Sequence, residues 1–124
     1  VTQTRTFTPR EANSALPLVR RIVDDILSAG KALRAISLEI GAGAEENPEV
    51  KRLMGVLEEL FDELEDLGCS YRDWNFTQGL VDFPSIIQGR EVCLCWKNDE
   101  PTVAYYHEAD AGFAGRKPVP SEFL

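Results

Sequence analysis

The chain has 124 residues, is 44% hydrophobic and 27% charged, and carries a formal net charge of −8. That length suits a single domain, 1–124, since domains most often run to about 100–150 residues. An acidic chain with no Lys/Arg-rich stripe argues against nucleic acid and anionic membranes, and no apolar run approaches the roughly 18–20 residues of a membrane span.

No signal-peptide pattern opens the chain, which makes the cytoplasm the expected compartment. The three cysteines agree with that. They cannot all pair within the chain, and Cys93 and Cys95 lie two apart on an expected strand with side chains on one face. Free thiols in a reducing compartment follow.

Near the N-terminus, "FTPREANSALP" carries a helix-start signal. Thr8 fits the N-cap, Pro9 the first helical position, and Glu11 sits three after Thr8 as a capping box requires. Pro17 clashes with the carbonyl four residues earlier, so the sequence predicts a short first helical segment, a break or kink near Leu16–Pro17, and a longer helix to about Ile40. Apolar residues recur at Val19, Ile22, Ile26, Ala29, Leu33, Ile36 and Ile40 in alternating steps of three and four, with Gly30 weakening the helix locally. After the loop "GAGAEENP", Asn47 and Pro48 start a second helix. Its heptad runs through Val50, Leu53, Leu57, Leu60, Leu64 and Leu67 and stops at Gly68. Two heptad helices on a short loop read as an antiparallel hairpin over about residues 9–67.

From Cys69 to the C-terminus the period changes. "GLVDFP", "EVCLCW" and "TVAYYH" are short runs rich in β-branched and aromatic residues, separated by turn chemistry. They predict a three-stranded antiparallel meander followed by an irregular tail, giving an α+β fold. A sheet that small covers only part of two long helices, so the remaining apolar seam is expected to bury against a second copy in a four-helix bundle. The charges suit such a homodimer. Residues 9–40 carry a net +1 and residues 45–66 a net −7.

Candidate chemistry gathers at the last strand. The only histidine, His107, sits beside Glu108 and Asp110, which are ligand-type residues where a strand opens into a loop. These three are the candidate metal set, for a divalent ion held weakly if at all. The arrangement lacks the paired histidines of helical zinc motifs. "DAGFAGRK" adds glycines that turn backbone N–H groups toward an anion, and Arg116 as a clamp for a small anionic ligand. A plain turn explains the same glycines. Asp82, inside an apolar run, needs a partner such as Arg90 or Arg116. Cys93-x-Cys95 lacks the second ligand pair of a structural zinc site and reads as buried thiols.

Together "GLVDFP", "REVCLCW" and "YYHEADAGFAGR", with the "FTPREAN…LP" opening, resemble an uncharacterised bacterial family, domain of unknown function 2203. The resemblance covers nearly the whole chain, including Asp82, Arg90, Cys95, Glu100, His107, Glu108, Asp110 and Arg116. Cys93 departs from it, because an aromatic is expected there. The family implies no activity, but it marks the His107–Arg116 string. Two readings follow. The favoured one is a dimeric, non-enzymatic scaffold or protein-interaction domain that needs no cofactor. The alternative is a small-ligand or metal site, including a hydrolytic one, built from Asp82, Arg90, His107, Glu108, Asp110 and Arg116.

Overall fold

Thr8 and Glu11 form the reciprocal cap that opens helix α1, Pro9–Ile40: Glu11 N–H donates to Thr8 Oγ1 at 3.1 Å and Thr8 N–H to Glu11 Oε1 at 2.9 Å. In the computed structural model, which describes residues 5–124, α1 runs without interruption through Pro17. Of the expected break or kink at Leu16–Pro17, the break and the separate first segment are therefore corrected. Pro17 lies on the exposed side of the helix, where water can serve the carbonyl that loses its partner. Ala12, Leu16 and Val19 are locked into the core on either side of it. Their burial, at about 1.5–3 kcal/mol for each large side chain, outweighs the roughly 3 kcal/mol that an interior proline costs.

Helix α2, Pro48–Leu67, starts on Asn47, whose Oδ1 accepts from the N–H groups of Glu49 and Val50. It ends at Gly68, held at φ 99°, where a side chain would be strained. Val50, Leu53, Leu57, Leu60 and Leu64 are buried as the heptad requires. Gly30 does more than loosen α1. A Cβ there would stand 2.2 Å from the Phe76 ring, so the glycine lets that ring seat against the helix.

The strands are β1 (Ser70–Tyr71), β2 (Val81–Ile87), β3 (Arg90–Trp96), β4 (Tyr105–Glu108) and β5 (Lys117–Pro118). They form one antiparallel sheet in the order β1-β2-β3-β4-β5. The three expected strands are its centre, and the three-stranded meander becomes a five-stranded sheet. The two added strands are two residues each, too short for any alternation to reveal. Side-chain alternation then divides the sheet. Val81, Phe83, Val92, Leu94 and Trp96 share a core with Val19, Val23, Ile26 and Leu64 of the helices. Asp82, Cys93, Cys95 and His107 occupy the opposite, outer face, because Asp82 pairs with Cys95 and Cys93 with His107.

At 1.5 Å per residue α1 is about 48 Å long, against about 23 Å for a seven-residue strand. The sheet cannot reach the far end of the hairpin. Leu33 and Ile36 are only partly buried there, and Leu38 and Ile40 are exposed. No helix among the described residues is long and apolar enough to cross a membrane.

Candidate functional site

The outer face of the sheet carries a buried polar cluster. Asp82 from β2 and His107 from β4 reach across β3 toward each other, 6% and 3% exposed. His107 Nε2 stands 3.1 Å from Asp82 Oδ1, and its Nδ1 stands 2.8 Å from the Glu108 carbonyl oxygen. A carbonyl only accepts, so Nδ1 carries a proton and donates it there. The other carboxylate oxygen of Asp82 faces Arg72 Nε at 3.4 Å. Cys93 lies opposite His107 on β3, and an Asp82 carboxylate oxygen, the Cys93 Sγ and a ring nitrogen of His107 all lie within 4.8 Å of one another.

This cluster is not sealed. It forms the floor of a recess of about 390 Å³ whose walls include Arg72, Leu80, Asp110, Gly112 and Phe113. The segment after β4 forms one wall. Ala111 N–H donates to the Glu108 carbonyl and Gly115 N–H to that of Gly112, so the segment is a pair of tight turns. Gly112, at φ 66°, occupies backbone space that favours glycine.

Of the residues singled out from the sequence, Asp82, His107 and Asp110 meet at this recess. Glu108 does not join His107. Neighbours on a strand point to opposite faces, and its carboxylate is paired with Arg90 instead. The set His107, Glu108 and Asp110 therefore does not converge, and Arg90 lies outside the recess. Arg116 is also engaged elsewhere. Its Nη2 donates to Glu100 Oε1 at 2.7 Å and to the Cys95 carbonyl at 3.0 Å, while its guanidinium stacks on Tyr105 and Phe113. It fastens the tail to the sheet rather than facing a ligand.

A family model described as an uncharacterized conserved protein, DUF2203, matches residues 5–119. The chain belongs to that family. No curated protein and no solved structure matches it. The matched span includes both helices and every residue of the recess.

Two further features of this DUF2203 domain bear on chemistry. Burial, with the nearby Asp82 charge, raises the Cys93 thiol, and the same causes push Cys95 up to about 12. Burial pushes Cys69 to about 12 as well, against a smaller opposing effect of Arg5. None of these thiols has the lowered range of a nucleophile. The second feature was not anticipated from the sequence. Asp73, buried in the β1–β2 connection, accepts the backbone N–H groups of Thr77, Gln78 and Gly79 on Oδ2 and that of Asn75 on Oδ1. Burial alone would raise its carboxyl, but these four donors outweigh burial and hold it below the ordinary aspartate value. The signal was present in "DWNFTQG", an aspartate opening a turn-rich stretch that ends in glycine.

Proposed function

We propose that this domain binds a small polar ligand in the recess on the outer face of its sheet. One observation carries the reading: a buried aspartate–histidine pair forms the floor of an open recess instead of being packed over. At about 390 Å³ the recess falls within the roughly 300–1,000 Å³ typical of small-molecule sites. It offers groups of both signs, with Arg72 facing an anionic group and Asp110 a cationic one. His107 and Asp82 supply a proton-carrying pair beneath them.

The test uses the single histidine as a reporter. Acetate, inorganic phosphate and methylammonium are titrated into ¹⁵N-labelled protein, and the ring nitrogens of His107 are followed with the backbone amides. Shifts confined to His107, Cys93 and the 109–113 segment support the reading. Silence there from all three probes, at concentrations that saturate weak sites, sinks it.

A second reading, the dimeric scaffold, rests on a separate observation. Along one side of the hairpin, Leu33, Met54, Leu57 and Phe61 line an apolar groove of about 760 Å³, with Glu58, Asp62 and Glu65 beside it. Met54 is 53% exposed, and Trp74, 63% exposed, packs edge-on against Phe61 nearby. Apolar area of this kind is ordinarily covered. Burial against α1 of a second copy, near neutral where α2 is acidic, gives a homodimer. Sedimentation velocity of the full chain is expected to return a dimer that Met54→Glu converts to a folded monomer. A wild-type monomer at all concentrations rules this reading out.

A further inference from the structure

Resting on the recess reading, we infer that Asp82, Cys93 and His107 form a divalent-metal site of zinc type, with one coordination position open to the recess. Three ligand atoms of different chemistry, O, S and N, already lie within 4.8 Å of one another. In a tetrahedral zinc site, with bonds of about 2.0–2.3 Å, ligand atoms stand about 3.5 Å apart. Small side-chain rotations close the set to that size.

His107 is oriented as metal-bound histidines are. Its Nδ1–H is fixed on the Glu108 carbonyl at 2.8 Å, which sets the tautomer and leaves Nε2 as the ligand atom. Nε2 in turn points at Asp82 Oδ1, 3.1 Å away. A nitrogen lone pair and a carboxylate that face each other need something positive between them. Either a proton or a metal cation meets that need.

The charges balance. An entering Zn²⁺ displaces the proton between His107 and Asp82 and the proton of the Cys93 thiol. A dication thus replaces two protons, and the net charge of the buried cluster does not change. Arg72 stays on the second oxygen of Asp82, 3.4 Å away, and orients the carboxylate from outside. The thiol sets the choice of metal. Sulfur with imidazole and carboxylate suits zinc, whereas magnesium and calcium take shells of oxygen. Three protein ligands leave the fourth position facing the recess, where water or a ligand's oxygen would complete the shell.

The experiment is a titration of the full chain, freed of metal, with Co²⁺ and then Zn²⁺. We expect one Co²⁺ per chain, a thiolate-to-cobalt charge-transfer band with tetrahedral ligand-field absorption, and displacement by Zn²⁺. Cys93→Ser and His107→Gln should each weaken Zn²⁺ binding by about tenfold or more. Cys69→Ala, outside the recess, should bind as the wild type does. An octahedral cobalt spectrum without the charge-transfer band, or Zn²⁺ affinity unchanged in Cys93→Ser, overturns the inference. Should His107→Gln not fold, the wild-type spectrum and the partly buried Cys93 decide the matter alone. The two proposals separate cleanly. Recess shifts with acetate, phosphate or methylammonium but no zinc site defeat the metal and keep the recess, whereas silence from all of these probes defeats both.

Discussion

Asp73 and Asp82 are buried alike, each 6% exposed, yet they are held in opposite ways. Asp73 is satisfied by backbone N–H groups of its own loop, with the Tyr71 hydroxyl also donating to it. Among the described residues those donors have no other partner, so the carboxylate is part of how the loop is built. Asp82 is satisfied by side chains, His107 and Arg72, at the floor of an opening. Side chains rotate, and an opening admits water, ions and ligands. Burial of an acid is therefore a poor guide to its role. What matters is whether its partners are fixed backbone or exchangeable groups beside a cavity.

The sharpest way to break the comparison is Asp73→Ala. It leaves several N–H groups unpaired in a buried loop, and an unsatisfied buried donor costs about 1–3 kcal/mol. We expect a loss of about 3 kcal/mol in urea unfolding, because some donors will reach water. Acid should act in the same direction. Its carboxyl is held below the ordinary value, so Asp73 contributes stability while ionised, above the unfolded value of about 3.9. That contribution is lost as pH falls through the lower, folded value. Asp73→Asn should accordingly flatten the acid side of the stability profile. An Asp73→Ala protein that unfolds at the wild-type urea concentration would remove the staple role.

The unequal legibility of the two aspartates has a physical origin. Periodicity exposes what repeats, so the two heptads, their caps at Thr8 and Asn47, and the three longer strands could be read from the sequence. Pro17 misled because its cost is local and visible, whereas the burial that offsets it comes from a sheet some sixty residues away. Gly30 has a second reason that the sequence does not display, the ring of Phe76 seated against it. At the site, His107 and Asp82 stood out as polar residues on apolar strands. Their meeting depends on register: Cys93 opposite His107 and Asp82 opposite Cys95 put all of them on one face. A slip of one residue would have separated them; the buried face rules that slip out in the folded sheet, but in "EVCLCW" both faces are apolar, so the alternation that sets the register is hard to read from the sequence. The same alternation explains why Glu108, adjacent in sequence, is absent from the recess.

The milder test of the comparison is Asp82→Ala, and its size decides between site and staple. Breaking a sealed buried ion pair costs about 3–5 kcal/mol, because the abandoned charge has nowhere to go. Here neither partner is trapped. Arg72 has a side chain 57% exposed and can turn to solvent. His107 keeps its bond to the Glu108 carbonyl, and as a neutral ring it asks only for water at Nε2, which the recess can supply. Removal should therefore cost about 1–2 kcal/mol, in the range of ordinary hydrogen bonds and clearly less than Asp73→Ala. Side-by-side urea titrations of the two variants measure the difference. If Asp82→Ala proves as damaging as Asp73→Ala, the outer pair is a second structural staple, and the recess above it has lost its reason to be a site. If the loss is small while the response of His107 to added ligands disappears, the pair exists for what it holds rather than for the fold.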